Sequence, residues 1–395
     1  MSGSNDTSGG DRSRRDGLWF CIKVFLGVRL GLFVLALVSV ALFPPLDPVS
    51  VPGWLAHQIP DPGWHNLFTA WERFDGLWFL RIAAEGYRAH DGSAAFFPLY
   101  PFAIRVVSFL IGGRPFAAAL IVSNGAFLGA LIVLHSLTRS ELSEDVARTT
   151  VVLLCLFPTS FFFFAPYSES LFLLLAVTAL WGARRGRWVT AGSAGFGAAL
   201  TRNVGVVVAV AIAAEAIQQW SERKRALVPG LAAAAGAASG LVLVLGYWAA
   251  KAGDWLAPVH QQANWERVFS WPWATLVEGT KVAFRYLGNT NGGYWLIDWL
   301  IVVPILAASV YALFRRYRWG YLVYLWGCLL LPLSFTFPDR PLMSMPRFVL
   351  PLFPAFWAMA QVTERWRVPR WAVAGVAAAG LGLLTVLFVN WYYIF

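Results

Sequence analysis

Asp75 is the residue whose surroundings most clearly suggest chemistry. If residues 64–86 form one helix, positions three, four and seven residues away from Asp75 share its face. Those positions hold Trp71, Trp78 and Ile82. A carboxylate in such an apolar stripe loses its hydration, so it must be paired, protonated or kept for chemistry. The pattern predicts a functional carboxylate, with a salt bridge to Arg73 or Arg81 as the structural alternative.

The segment around Asp75 is rich in further polar groups. Its additional candidates for substrate binding are Arg73, Arg81, Glu85, Tyr87, His90 and Asp91. The apolar residues of the same helix predict an amphipathic helix in the membrane interface, where an enzyme could meet a lipid-borne substrate. An ordinary interfacial anchor is the alternative. One His beside one Asp is a weak metal signal, so we predict no metal site and no cofactor, and leave open whether a divalent metal is needed.

Glu169 lies between two apolar segments, directly after Pro166, Tyr167 and Ser168. Pro166 breaks the first helix and Ser168 can cap the second. Glu169 is then either a first-turn acid favoured by the helix dipole or a site residue that binds sugar hydroxyls or positions an arginine. Tyr167 is a candidate for substrate binding. The aromatic residues that could stack on a sugar or line a lipid groove are Trp71, Trp78, Tyr87 and Tyr100.

Two arginines are predicted at the ends of apolar helices. Arg202 precedes Asn203 between two short apolar segments, and Arg347 follows Pro346. A guanidinium is always charged and matches phosphate oxygens in a bidentate way, so Arg202, Asn203 and Arg347 are candidates for binding a phosphate leaving group. Snorkelling of each arginine to lipid headgroups is the alternative. The sequence has no Walker A motif and no dinucleotide-binding glycine turn, which favours a lipid-phosphate donor over a nucleotide sugar.

Composition defines the class of protein. The 395 residues are 58% hydrophobic and 16% aromatic, only 13% are charged, and the mean hydropathy is +0.60. These values indicate a polytopic membrane protein, and because alternating strand patterns are absent, the fold class is all-α. The net charge of +10 is spread over short clusters between apolar runs, so it indicates membrane lipids as partners and no nucleic acid. The long apolar runs are Val24 to Phe43, Leu227 to Ala250, Tyr294 to Phe314, Gly320 to Phe335, Phe348 to Val362 and Trp371 to Tyr392.

The positions of Lys and Arg predict the topology. Six basic clusters, around residues 12–23, 139–148, 184–187, 223–225, 315–318 and 365–370, should be cytoplasmic. Residues 1–17 are predicted to be a disordered cytoplasmic tail, and residues 18–395 one transmembrane domain with external loops at 44–95 and 251–293. Residues 117–137 are expected to span, whereas 95–111 stay external or re-entrant. About 11 spans result, with an internal amino terminus and an external carboxyl terminus.

Several of these motifs together resemble a known family. They are Arg73-Phe-Asp75-Gly, Glu85-Gly-Tyr87, Ala95-Phe-Phe-Pro-Leu-Tyr-Pro101, Ala165-Pro-Tyr-Ser-Glu-Ser-Leu-Phe172, Thr201-Arg-Asn203 and Pro346-Arg-Phe348. In order and spacing they are similar to the family of the second mannosyltransferase of glycosylphosphatidylinositol assembly, which has bacterial members and sits in the C-type (GT-C) membrane glycosyltransferase superfamily. The family often has Trp-Asp where this chain has Phe74-Asp75, and Asp91 stands later than the family's second acid.

The resemblance implies a function. A family member takes a sugar, usually mannose, from a polyprenyl phosphate and transfers it with inversion to an acceptor hydroxyl on the external face of the membrane. It also implies an acid of the first external loop at the reaction centre, which corresponds to Asp75. We therefore expect a membrane glycosyltransferase in a bacterial plasma membrane, acting on a lipid or glycan acceptor. A transporter of lipid-linked sugars and a non-catalytic subunit of a glycosylation complex are the alternatives.

Overall fold

The computed structural model describes residues 7–43, 46, 51, 69–223, 227–262, 266–289 and 293–394. The longer α-helices are α1 (Thr7–Leu42), α2 (Asp75–Glu85), α3 (Leu99–Leu110), α4 (Pro115–Glu141), α5 (Glu144–Leu156), α6 (Glu169–Arg184), α7 (Trp188–Thr201), α8 (Val206–Arg223), α9 (Leu227–Ala252), α11 (Pro272–Arg285), α12 (Gly293–Phe314), α13 (Trp319–Leu333), α15 (Phe353–Arg365) and α16 (Arg370–Val389). Two four-residue helices are α10 (Ala257–His260) and α14 (Met345–Phe348). The prediction of a helical protein is confirmed, apart from one short ladder in which β1 (Val268–Phe269) pairs antiparallel with β2 (Phe335–Thr336).

The described residues include six helices long and apolar enough to cross a membrane. They are Arg15–Leu42, Pro115–Glu141, Asn203–Glu222, Leu227–Ala252, Gly293–Phe314 and Arg370–Val389. The helices α3 and α13 are apolar but shorter. The expected span at 117–137 lies within Pro115–Glu141, whereas the count of about 11 spans is not confirmed. The protein is therefore an integral membrane protein made of helices.

Local sequence explains several helix boundaries. Ser143 caps α5, since its hydroxyl accepts a hydrogen bond from the Val146 amide at 3.2 Å, and two acids occupy the first turn. Arg184 lies in the last turn of α6, where a positive charge complements the helix dipole. The apolar run predicted from Phe348 to Val362 is divided between α14 and α15. Pro351 and Pro354 account for the break, because a proline cannot donate the backbone hydrogen bond of a helix interior.

Two predictions about helix starts are wrong. The helix containing Asp75 was predicted from residue 64 and begins only at Asp75, because Phe74 has a φ of 49°, outside the right-handed helical region. Residues 64–68 of that prediction lie outside the described part. Conversely, α1 begins at Thr7, so residues 7–17 of the predicted disordered tail are helical. Extending an existing helix adds one hydrogen bond per residue, and arginine is a good helix former.

The helix α2 also differs from the predicted interfacial helix. Its residues from Gly76 to Ala83 are all buried inside the protein, including Arg81. A helix that lies in the membrane interface needs an apolar face open to lipid, and the described residues of α2 offer none. The helix α3 does expose apolar side chains, with Phe109 84% and Leu110 73% exposed. The aromatic residues of α2 therefore pack within the protein core.

The connection from α7 to α8 is built around Gly205. A Cβ atom at this position would lie 2.1 Å from the carbonyl oxygen of Ala198 and 2.6 Å from the Cα of Ala199, so only glycine fits. The tight turn contains Arg202, whose backbone is extended at φ −151° and ψ 153°, and Asn203. Close contact between the two helices thus fixes the positions of Arg202 and Asn203.

We predict that Gly205→Ala destabilises the protein by at least about 2 kcal/mol, because the added methyl group overlaps backbone atoms that cannot rotate away. Gly236→Ala in α9 is the matched control, since a Cβ there meets no atom within 4 Å. Scanning fluorimetry in detergent measures both melting temperatures. A Gly205→Ala protein with the same melting temperature as the wild type would contradict the close packing described above.

Candidate active site

Two carboxylates stand at the first residue of two helices. Asp75 begins α2 and Glu169 begins α6, and each is the acid in the first turn of its helix. The partial positive charge at a helix amino terminus favours a carboxylate there. Ser168 stands at the cap position of α6, but its hydroxyl makes no capping hydrogen bond. It accepts one from Arg202 Nη1 at 3.4 Å, so the predicted capping role of Ser168 is wrong.

Asp75, Arg347, Glu169 and Arg202 form one chain of alternating charges. Arg347 Nη1 lies 2.5 Å from Asp75 Oδ2, and Arg347 Nε lies 3.2 Å from Glu169 Oε1. Arg202 Nη1 completes the chain at 2.5 Å from Glu169 Oε1. Burial would lower the pKa of Arg347, but the charges of Asp75 and Glu169 outweigh it and raise that pKa above its usual value. Four residues from separate parts of the sequence therefore meet in one electrostatic unit.

The side chains of Asp75 and Glu169 differ in solvent exposure. The side chain of Asp75 is 23% exposed, whereas that of Glu169 is 1% exposed. Neither oxygen of Glu169 has a well-aligned hydrogen bond from the described residues, so its two ion pairs compensate its charge. A buried carboxylate without such partners would be costly. Of the two, Asp75 is the carboxylate that a bound molecule can reach.

The backbone before Asp75 is held in an unusual conformation by the end of the chain. A positive φ at a bulky residue such as Phe74 costs about 1–3 kcal/mol and persists only where the surroundings enforce it. The ring of Phe74 contacts those of Trp391 and Tyr393, each with centroids 5.3 Å apart. Arg73 donates to the carbonyl oxygen of Val389 at 2.9 and 2.8 Å. The carboxyl-terminal segment thus fixes the orientation of Asp75.

The loops that carry Asp75 and Glu169 also contact each other directly. The phenol of Tyr167 donates to the carbonyl oxygen of Arg73 at 3.2 Å. A Cβ at Gly76 would lie 3.0 Å from Pro166 Cγ, so glycine lets the start of α2 approach the turn before α6. These contacts set the spacing of the two carboxylates independently of the arginines.

The charged chain lies on the wall of a cavity of about 410 Å³. The charged side chains that line it are Asp75, Glu169, Arg202, Arg267 and Arg347. Most of the remaining lining is apolar or aromatic, with Leu241 and Leu245 from α9 and Leu331 and Pro332 from α13. Three guanidinium groups and two carboxylates leave one excess positive charge in an otherwise apolar space. Such a cavity suits a ligand with an anionic group and an apolar part.

About half of the candidates predicted from the sequence line this cavity. They are Asp75, Tyr167, Glu169, Arg202, Asn203 and Arg347. All come from helix ends or from the turns beside them. The structure thus brings together the charged groups that interrupt apolar segments.

The other candidates lie outside the cavity lining and have structural partners. Arg81 is fully buried and pairs with Asp91 at 2.5 Å, and Asp91 also accepts from the Ser93 amide at 2.9 Å. Burial opposes ionisation of Asp91, but the hydrogen bonds from Ser93 and the charge of Arg81 outweigh it and lower the pKa. Glu85 pairs with Arg88 at the surface. These residues shape the loop rather than the cavity.

Aromatic candidates are also used for packing. Tyr87 donates to the Phe96 carbonyl oxygen at 2.7 Å, and the buried Tyr100 hydroxyl lies 2.7 Å from Ser123 Oγ. Trp71 is buried and Trp78 stacks on Phe96 at 5.4 Å. None of these four predicted stacking residues lines the cavity.

His90 and Arg73 are the remaining sequence candidates that lie outside the cavity lining. His90 is exposed on the loop after α2, with a φ of 66°. Arg73 binds backbone carbonyl oxygens and lies with its guanidinium carbon 4.5 Å from the centre of the Trp391 ring. Within the described ranges, no three His, Cys, Asp or Glu side chains gather in a way that could hold a metal ion.

The lining residues that sequence reasoning missed include Arg267, Ser344 and Tyr393. Arg267 lies in the predicted external loop 251–293, but no local motif distinguishes it from other loop arginines. Ser344 has a φ of 67° immediately before α14, and Tyr393 lies near the carboxyl terminus. Only the β1–β2 pairing and the packing of the chain end bring these residues to the cavity.

Comparisons with known proteins agree with the motifs. Residues 30–223 match the family described as Mannosyltransferase (PIG-V). Human GPI alpha-1,6-mannosyltransferase 2 is 29% identical over 193 residues, which are 45% of this chain and 37% of that protein. GPI mannosyltransferase 2 of Drosophila pseudoobscura pseudoobscura is 34% identical over 109 residues, which are 25% of this chain and 24% of that protein. The matches thus span well under half the length of these relatives.

Two solved structures have a similar course of the backbone. ArnT from Cupriavidus metallidurans bound to undecaprenyl phosphate has a TM-score of 0.48 at 14% identity, covering 94% of this chain and 76% of that chain. AglB from Archaeoglobus fulgidus, an archaeal oligosaccharyltransferase in complex with an inhibitory peptide and a dolichol-phosphate, has a TM-score of 0.44 at 13% identity, covering 95% and 56%.

The helices and the charged cavity define a polytopic membrane protein with a polar site. Its residues 30–223 match the model of the mannosyltransferase (PIG-V) family, in agreement with the resemblance found in the motifs. Asp75, Glu169 and Arg202 lie inside the matched segment, whereas Arg267 and Arg347 lie beyond it.

We predict that Glu169 and Arg202 are energetically coupled by about 1–3 kcal/mol in a double-mutant cycle of Glu169→Gln and Arg202→Gln. Glu169→Gln leaves Arg202 without its carboxylate, Arg202→Gln leaves Glu169 with Arg347 alone, and the double change removes both charges. Unfolding free energies from denaturant titration in detergent give the coupling.

The control cycle uses the exposed pair Glu278 and Lys281 of α11, which lies 3.1 Å apart. Exposed pairs of this kind couple by about 0.5 kcal/mol or less, because water screens them and the side chains lose entropy. Strict additivity of the Glu169 and Arg202 changes would show that the buried pair does not act as a unit.

Proposed function

We propose that the protein is a membrane glycosyltransferase, most specifically a mannosyltransferase, that transfers a sugar from a polyprenyl-phosphate donor to an acceptor hydroxyl. The observation that carries the proposal is the cavity in which an accessible carboxylate, Asp75, lies beside paired arginines. The names of the relatives, which are mannosyltransferases, support the same class of reaction.

In the proposed reaction the acceptor oxygen attacks the anomeric carbon of the donor sugar. A bond forms between these two atoms, the bond from the anomeric carbon to the phosphate oxygen breaks, and the anomeric configuration inverts. Asp75 accepts the proton of the hydroxyl, and polyprenyl phosphate leaves with the bonding electron pair. A carboxylate within hydrogen-bond reach of the attacking hydroxyl is the group that this proton transfer needs.

The arginines have two roles in this proposal. Arg347 forms an ion pair with Asp75, which orients the carboxylate at the cavity wall. Arg202 and Arg347 together compensate Glu169, and their N–H groups also donate to the oxygen atoms on which negative charge develops as the phosphate departs. Glu169 is then a positioning residue, because its side chain is almost completely buried.

The apolar part of the lining supports a lipid-borne donor. Leu241 and Leu245 of α9 and Leu331 and Pro332 of α13 line the cavity. Neighbouring residues of the same helices, including Val242 and Leu330, are exposed on the outside of the bundle. A polyprenyl chain can therefore pass from the bilayer to the charged wall along apolar side chains.

The distribution of arginines supports an active site on the external face of the membrane, which we propose to be a bacterial plasma membrane. Glu169 begins α6 and Arg184 ends it, and a helix of 16 residues is about 24 Å long. Arg202 likewise follows the end of α7, whereas Arg187 precedes its start. Since loops rich in arginine stay in the cytoplasm, the cavity would face the opposite side, with the amino terminus inside.

We predict that Asp75→Asn lowers the turnover number of sugar transfer at least about 100-fold, the usual effect of losing a general base. The amide keeps the size of the side chain but cannot take up a proton. The assay follows label from polyprenyl-phosphate [14C]mannose into lipid and glycan products of membranes that carry each variant. The melting temperature of each purified variant confirms that it is folded.

Glu85→Gln is the matched control, because Glu85 ends the same helix, is exposed and lies outside the cavity lining. It should keep wild-type turnover. A folded Asp75→Asn protein with wild-type turnover would reject the base assignment. Translocation of the lipid-linked sugar across vesicles without transfer would support a transporter instead, and activity of the purified single chain would exclude a purely non-catalytic subunit.

A further inference from the structure

Arg267 lies on the cavity wall between the predicted site and a short strand pair. It directly precedes β1, whose residues Val268 and Phe269 pair with Thr336 and Phe335 of β2. Its Nη1 donates to the carbonyl oxygen of Phe335 at 3.5 Å. The ladder therefore ties Arg267 to the segment that leads to Arg347.

Three guanidinium groups surround one aromatic ring at this wall. The guanidinium carbons of Arg202, Arg267 and Arg347 lie 5.3, 5.2 and 5.1 Å from the centre of the Phe348 ring. Arg267 also lies 4.7 Å from the centre of the Phe337 ring. Aromatic faces attract cations and hold guanidinium groups by stacking, while the N–H groups stay able to bond in the plane of the group.

The charges of this cluster are unequally compensated. Arg202 and Arg347 are paired with Glu169 and Asp75, whereas Arg267 has no ion pair with any carboxylate that the structure describes. Burial lowers the pKa of Arg267 to about 10, and the positive charge of Arg347 acts in the same direction. Arg267 nevertheless remains protonated at neutral pH, so its positive charge at the edge of an apolar cavity has no directly paired carboxylate, and only the more distant charge of Asp75 favours it.

We propose that Arg267 is the residue that directly binds the phosphate of the lipid donor, while Arg202 and Arg347 mainly hold the two carboxylates. This inference rests on the proposed function and assigns a role to a residue beyond the matched family segment. A guanidinium forms two parallel hydrogen bonds to phosphate oxygens, and these bonds compensate the charge of Arg267 when the donor enters. After sugar transfer, the phosphate group of the polyprenyl phosphate product would still be bound by Arg267 until the lipid dissociates.

The test measures binding of undecaprenyl phosphate to purified protein in neutral detergent, with the uncharged undecaprenol as the phosphate-free probe. Arg267→Gln should weaken undecaprenyl phosphate binding about tenfold or more, as expected for loss of hydrogen bonds to a charged group, and leave undecaprenol binding unchanged. Arg267→Lys keeps the charge but loses the bidentate geometry. Its affinity for undecaprenyl phosphate should therefore lie between those of the wild type and Arg267→Gln.

Arg285→Gln is the matched control, because it removes the same charge from an exposed position of α11 in the same loop. It should bind undecaprenyl phosphate as the wild type does. Phosphatidylglycerol is added as a competitor to separate a donor-phosphate site from a general phospholipid headgroup site. Competition at concentrations similar to those of undecaprenyl phosphate would contradict a donor-specific role.

The outcomes separate this inference from the proposed function. If the wild type prefers undecaprenyl phosphate to undecaprenol and Arg267→Gln keeps that preference, the assignment of Arg267 is wrong and the proposed function stands. If Arg267→Gln is unstable, wild-type affinity of Arg267→Lys would overturn the bidentate contact, and weakened affinity would support it. If the wild type shows no preference for the phosphate, the lipid-phosphate donor itself is wrong.

Discussion

The chain of charges from Asp75 through Arg347 and Glu169 to Arg202 is the interaction on which the rest of the site depends. Glu169 is almost fully buried, and its charge is tolerated only because two guanidinium groups contact it. This requirement forces the starts of α2 and α6, the end of α7 and the helix α14 to converge. The positive φ at Phe74 and the close packing around Gly205 are the local conformations that make this convergence possible.

The balance of charge connects this structure to function. The four-membered chain is neutral as a unit, so its stability does not need a ligand. Arg267 adds one positive charge to the same wall without adding a carboxylate. In the proposed function this positive charge is in place before the donor binds, and the aromatic rings of Phe337 and Phe348 pack against the guanidinium group. Preorganised charge of this kind stabilises a developing phosphate anion without rearrangement during the reaction.

The sequence was sufficient to identify the members of the charged chain, because an ionisable residue that interrupts an apolar segment is rarely accidental. It did not predict their pairing, since the partners considered for Asp75 were Arg73 and Arg81, whereas Arg347 pairs with it. Asp75, Glu169, Arg202 and Arg347 each carry that signal on their own. The same reasoning could not separate them from Arg81 and Asp91, which are equally unusual in sequence but pair with each other away from the cavity. Whether a charged residue of this segment lies at the cavity depends on the backbone conformation at Phe74, and the helical periodicity of the sequence does not reveal that conformation. Arg267 was not predicted as a site residue because arginines are common in loops. Only tertiary packing brings this arginine to the cavity.

The most direct test of the account is an experimental structure, by cryo-electron microscopy, of the protein bound to polyprenyl phosphate. We expect the phosphorus in the cavity described above, with phosphate oxygens within hydrogen-bond distance of the Arg267 guanidinium and Asp75 on the side where the sugar would be attached. A phosphate bound elsewhere, or Asp75, Glu169, Arg202 and Arg347 found in separate pockets, would contradict the account.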